Sequence, residues 1–123
     1  MRRIRAKHTA PEVKVRRLVH SLGFRYRLHV ARLPGKPDLV LPRLRKIIEV
    51  HGCFWHQHKG CVDSHIPKSR VDYWWPKLLR NQQRDKKNLR ALRHFGYSVL
   101  IVWECQTKNE SQLKAKINKF LKQ

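Results

Sequence analysis

The amino-acid sequence predicts a mixed α/β fold in the order α-β-β-β-α-β-α, and three patterns carry that expectation. A capping signal at Thr9 is followed by apolar residues at helical spacing. Tyr97-Ser-Val-Leu-Ile-Val-Trp-Glu104 is a run of β-branched and aromatic residues, the best candidate for a central strand. A long polar helix lies just before that run, and helices interleaved with strands define a mixed α/β domain.

In Thr9-Ala-Pro-Glu12, the threonine and the glutamate three residues on form a capping box, and Pro11 suits the first turn. Val15, Leu18, Val19 and Leu22 fall at i, i+3, i+4 and i+7, one face of a helix over residues 10–22, and Gly23 suits its stop. Phe24 to His29 alternates apolar with basic residues, the pattern of a half-buried strand. Leu33-Pro-Gly-Lys-Pro37 is a turn and Asp38 to Leu41 a short apolar strand. Pro42-Arg-Leu-Arg45 closes a hairpin into a second apolar strand, Lys46 to Val50. From His51 to Trp75 no period holds. So long an irregular stretch is unusual in a compact domain unless something, such as a metal, fixes it. Pro76 then reads as the start of a helix to about His94. Leu78, Leu79, Leu89, Leu92 and Phe95 give that helix a discontinuous apolar face around a strongly polar middle, Asn81 to Lys87. Gly96 breaks it. Ser111 to Leu121 is a last helix, with Leu113, Ile117, Phe120 and Leu121 on one face. Trp75 and Trp103 are assigned to the core, and residues 1–123 to a single domain.

Twenty-nine Lys and Arg against eight Asp and Glu leave a net charge of +21. Such a surface repels itself and calls for a polyanion, with nucleic-acid phosphate as the first candidate. A membrane fits less well. No segment approaches the roughly 20 apolar residues needed to span a bilayer, and no apolar signal region follows Met1-Arg2-Arg3. A ribosomal-protein-like binder would explain the charge but not residues 50–61. The three cysteines are odd in number and lack a secretory signal, which points to free thiols in a reducing cytoplasm.

Residues 50–61, VHGCFWHQHKGC, crowd two cysteines, three histidines and a Phe-Trp pair together. Cys53-x4-His58-x2-Cys61 with Cys105 offers three thiolates and an imidazole. That is the closed tetrahedral shell of a structural zinc site, and its soft donors select zinc over magnesium or calcium. His56, His58 or His65 could complete it; His58 is preferred for its closeness to Cys61. The plainer alternative makes Cys105 a buried core cysteine. Pro37-Asp38 and Glu49-Val50-His51 lie on adjacent predicted strands, so Asp38 and Glu49 can point to one spot. Two carboxylates and the Val50 carbonyl suit Mg²⁺, which could activate water and neutralise a scissile phosphate. His51 and His56 would then move protons or stabilise charge. The alternative, a Pro-Asp turn and a Glu49–arginine pair, does not explain why scarce acids interrupt two apolar strands.

LPGKPDLV (33–40), VHGCFWH (50–56), Tyr73-Trp74, Asn81 with Arg84-Asp85, and VLIVWEC (99–105) resemble the very-short-patch repair endonucleases, from Met1 to about Cys105. That family nicks DNA beside a T·G mismatch. The resemblance implies a fold like the PD-(D/E)xK nucleases, a mixed sheet flanked by helices, with a structural zinc site. It places the metal-binding aspartate on Asp38, a carbonyl ligand on Val50, and catalytic histidines on His51 and His56. The acid of the first helix falls on Glu12, and the zinc shell on Cys53, His58, Cys61 and Cys105. Aromatics that enter the duplex fall on Phe54, Trp55 and Trp74. The alternative for Phe54 and Trp55 is that one or both plug the core. Asp85 is expected to orient His56.

Three departures accompany the resemblance. Lys59-Gly60 makes the cysteine loop one residue longer. Glu49 restores a carboxylate at the E-x-K position and so becomes a further candidate Mg²⁺ ligand. Little sequence precedes the first helix, so the arm that clasps DNA is expected to be short.

Arg2, Arg3, Arg5, Lys7, Lys36, Lys68, Arg70, Arg80, Arg84, Lys86 and Lys87 are candidate phosphate contacts. The expectation is a Mg²⁺-dependent, zinc-stabilised mismatch endonuclease, monomeric, acting on duplex DNA in a bacterial cytoplasm at the nucleoid. Its rivals are a nicking nuclease of a restriction or mobile-element system with little mismatch preference, and a zinc-held DNA-binding module without catalysis.

Overall fold

The computed structural model describes residues 9–123; the basic residues Arg2, Arg3, Arg5 and Lys7 lie outside them. Helix α1 spans Ala10–Ser21, and the Thr9 hydroxyl accepts the Glu12 N–H at 3.4 Å, the cap the sequence signals. The strands are β1 (Arg27–Leu28), β2 (Leu39–Leu41), β3 (Lys46–His51) and β4 (Ser98–Trp103). Helix α2 is Val71–His94 and α3 is Glu110–Leu121. The sheet order is β1-β2-β3-β4. The first two pairings are antiparallel and β3–β4 is parallel, with α2 as the crossover.

Strand alternation assigns the two faces. Leu39, Leu41, Ile48 and Val102 pack with Val15 and Val19 of α1 and Leu113, Ile117, Phe120 and Leu121 of α3. Val40 and Ile47 face the other way, against Leu92 of α2. Lys46 is buried and donates from Nζ to the carbonyls of Phe120 and Gln123 (3.2 Å), which satisfies the end of α3.

Four expectations need correction. The first strand is only two residues long. Phe24, Tyr26 and Leu28 do pack on the core, but His29 adopts φ 45° and ends the pairing. Helix α2 begins at Val71, so Pro76 sits inside it. The missing proline N–H affects one carbonyl near the helix start, and Trp74 anchors that first turn by packing on Phe54 and Trp55. Trp75 is 43% exposed rather than in the core, because it lies beyond the buried stripe of α2; Leu79 and Phe95 are exposed too. Trp103 is half-buried and stacks on His58, at 4.2 Å between ring centroids. No described helix is long and apolar enough to cross a membrane.

Candidate active site and metal centre

The β2–β3 hairpin gathers the carboxylates. Leu39 pairs with Ile48, so one step further Asp38 lies across from Glu49. Asp38 Oδ2 accepts the Val50 N–H at 2.7 Å. Burial pushes the Asp38 carboxyl up to about 6, against the lowering effect of that hydrogen bond. Burial, with the nearby Asp38 and Asp85 charges, pushes Glu49 up to about 7. Two acids held this close in a buried position offer oxygen donors of the kind that a hard divalent cation takes.

Glu12 reaches this point from α1, 6% exposed. Its Oε2 lies 3.3 Å from His29 Nε2, which is 3.8 Å from Asp38 Oδ1. His29 is the residue that sequence reading missed. It looked like the polar end of a strand, but its N–H donates to the Asp38 carbonyl at 3.2 Å, which places it beside the aspartate. The register of the first hairpin was the signal that could have found it.

On the far side, His51 ends β3 and stacks on His56 with centroids 3.9 Å apart. Burial and then the neighbouring His56 push His51 down to about 4, so it is neutral at pH 7. Its Nδ1 is buried and has no hydrogen-bond partner among the described residues. His56 Nδ1 sits 2.5 Å from Asp85 Oδ2. One turn before Asp85 on α2, the Asn81 amide donates to the Trp55 carbonyl at 3.3 Å. The polar middle of α2 is thereby explained: the helix turns these side chains onto the loop rather than the core.

The histidines separate into two groups. His56 joins His51 and Asp85, whereas His58 joins Cys53, Cys61 and Cys105 with ligand atoms within 4.8 Å of one another. His58 Nδ1 lies 3.7 Å from Cys53 Sγ and 3.4 Å from Cys105 Sγ. A tetrahedral zinc shell with bonds near 2.0–2.3 Å has ligand–ligand edges of roughly 3.5–3.8 Å, so this donor set fits such an ion. His65 is exposed and outside the group. Burial, with the neighbouring Cys105 and Cys61, pushes the Cys53 thiol up to about 12, so a bound metal would have to displace its proton. Tight turns hold the loop: His58 N–H donates to the Cys53 carbonyl at 2.9 Å, and Gln57 Nε2 donates to the carbonyls of Phe54 (2.7 Å) and Ser64 (3.0 Å).

Phe54, Trp55 and Trp74 form an edge-to-face triangle, centroids 5.2–5.4 Å apart, and each is half-buried. Tyr73 continues the cluster at 5.0 Å from Trp74 and is exposed, with Arg70 and Lys77 over its ring. Lys36, Lys68, Arg70 and Arg84 are all exposed.

Carboxylates and histidines converging beside half-buried aromatics, in a chain of charge +21, point to the nuclease class. The family model for DNA mismatch endonuclease Vsr matches residues 1–62. The type II nicking enzyme V.XorIIP of Xanthomonas oryzae pv. oryzae is 46% identical over 121 residues, 98% of this chain and 88% of that protein. Type II nicking enzyme V.NmeAIP of Neisseria meningitidis is 42% identical over 123 residues, 100% of this chain and 87% of that protein. DNA mismatch endonuclease Vsr of Escherichia coli is 38% identical over 113 residues, 92% and 72% of the two chains. The chain belongs to the Vsr family of DNA mismatch endonucleases; it is a DNA endonuclease.

Proposed function

We propose that the protein nicks one strand of duplex DNA beside a T·G mismatch, as a Mg²⁺-dependent, zinc-stabilised enzyme of PD-(D/E)xK type built as one domain over residues 1–123. The observation that carries this reading is the convergence of Asp38 with Glu49, His51 and the His56–Asp85 pair at the end of the β2–β3 hairpin. Asp38, Glu49 and the Val50 carbonyl would hold Mg²⁺, which when bound neutralises phosphate charge and eases water ionisation. Asp85 fixes the His56 tautomer by accepting a hydrogen bond from its Nδ1–H, which leaves Nε2 to exchange a proton with the reacting phosphate or water. His51 supports that ring by stacking on it and stays neutral, so it adds no competing charge. Glu12 adds negative charge on the other flank of Asp38. Cys53, His58, Cys61 and Cys105 would hold Zn²⁺ and fix the loop that carries His56.

Phe54, Trp55 and Trp74 form the wedge. A half-buried aromatic triangle can rise between base pairs, and a poorly stacked mismatch lowers the energy needed to open the step. Exposed Lys36, Lys68, Arg70 and Arg84 supply phosphate contacts.

A second reading is favoured by the names of two relatives, which are type II nicking enzymes. It is a nicking nuclease of a restriction system with little mismatch preference. Cleavage of matched and T·G duplexes in many flanking contexts, with and without Mg²⁺, separates the two. Faster nicking of T·G duplexes supports the mismatch reading, and equal rates support the second.

A further inference from the structure

The two oxygens of Asp38 have different neighbours. Oδ2 accepts the Val50 N–H, whereas Oδ1 is the oxygen near His29 Nε2, at 3.8 Å. His29 Nε2 also lies 3.3 Å from Glu12 Oε2, and one ligand atom from each of Glu12, His29 and Asp38 falls within 4.8 Å of the other two. The three side chains are 7%, 11% and 17% exposed. The imidazole is held in place by its own backbone. His29 takes φ 45°, a region that L residues rarely adopt, and its N–H is bonded to the Asp38 carbonyl. Two carboxylates and an imidazole, each offering a ligand atom within this distance of the others, are spaced to share one metal ion. An imidazole nitrogen beside them changes which cation fits. Mg²⁺ takes oxygen donors, whereas Mn²⁺, Fe²⁺ and Co²⁺ accept nitrogen together with carboxylate oxygen.

We infer that Glu12, His29 and Asp38 form a mixed nitrogen–oxygen metal site with His29 Nε2 as a direct ligand, and that it takes Mn²⁺-class divalent ions more tightly than Mg²⁺. The inference rests on the reading of Asp38 as a metal ligand and adds to it a further ligand and the class of ion.

The test uses the full-length, zinc-loaded chain with histidine nitrogen isotopically labelled, titrated with Mn²⁺ and read by pulsed electron paramagnetic resonance. Bound Mn²⁺ shows a hyperfine coupling to histidine nitrogen that changes with the label. The coupling is lost in His29→Gln, where Mn²⁺ affinity falls at least about tenfold and Mg²⁺ affinity less than about threefold. His51→Gln and His56→Gln each keep it, so those two variants exclude the neighbouring histidines even if His29→Gln does not fold. Absence of histidine coupling in the wild type, its persistence in His29→Gln, or its loss in either other variant overturns the inference. Failure of the underlying reading looks different: Asp38→Ala would then bind Mn²⁺ as tightly as the wild type.

Discussion

On the proposed reading, the single side chain of Asp85 sets the chemistry of His56. It lies on α2, far in sequence from His56, yet its Oδ2 sits 2.5 Å from that ring's Nδ1. Asp85→Asn keeps the shape but presents an amide that favours the other tautomer. The expected result is a fall of about 10²- to 10⁴-fold in the single-turnover nicking rate, with duplex affinity unchanged. Gly35 carries a different constraint. Its φ is +74°, and a Cβ there would sit 2.7 Å from Asn88 Nδ2. Gly35→Ala is expected to lower stability by about 1–3 kcal/mol in denaturant unfolding, because backbone strain and a clash add together. At this scale the sequence was partly legible. The types of residue pointed to the chemistry, thiolates for a soft ion and carboxylates for a hard one, and the structure gathers the three cysteines with His58 into one donor set. Spacing favoured His58 for the cysteine group, where the structure places it, but left His56 unassigned, because tight turns across Gly52–Cys61 send neighbouring side chains to different groups. His29 escaped notice because it reaches Asp38 through the β1–β2 register, which sets it opposite the aspartate, rather than through any pattern within its own strand.

Among elements, the hairpin and the cysteine loop do most to build the site. The hairpin was readable because Asp38 and Glu49 interrupt apolar strands, and the register sets them opposite. The start of α2 was not: Pro76 is a strong local start signal, overridden by packing of Trp74 on the loop, a contact that only the folded chain supplies.

The hairpin's acids give a pH signature. In metal-free protein the folded-state carboxyls lie at about 6 for Asp38 and about 7 for Glu49, above their usual range. Their contribution to stability is present at low pH and is lost as pH rises through those values. His51 runs the other way. Its folded value of about 4 lies below the usual imidazole value, so its contribution is present above 6.5 and is lost as pH falls toward 4. Mg²⁺ requires the ionised carboxylates. The rise in Tm that Mg²⁺ causes should therefore be larger at about pH 8 than at about pH 5.5, and an equal rise at both would remove Asp38 and Glu49 from the metal site. For the loop, metal analysis should return about one zinc per chain. Chelation or Cys61→Ser should lower Tm and nicking together, since the loop carries His56.

For the molecule as a whole, a net charge of +21 makes phosphate neutralisation the expected main source of duplex affinity. Duplex binding should weaken by about 10³- to 10⁵-fold between about 50 and 200 mM salt, if roughly 6–10 phosphates are contacted. The element order was legible at this scale from periodicity and run length; the parallel β3–β4 pairing and the division of the sheet into two packed faces were not, because they depend on contacts between distant segments. The central claim is that Asp38 anchors DNA cleavage, and its most direct test is single-turnover nicking of a T·G duplex in Mg²⁺ by the wild type and Asp38→Ala. The account predicts a loss of at least about a thousandfold in the variant, with duplex affinity retained. Nicking by Asp38→Ala at the wild-type rate would contradict it.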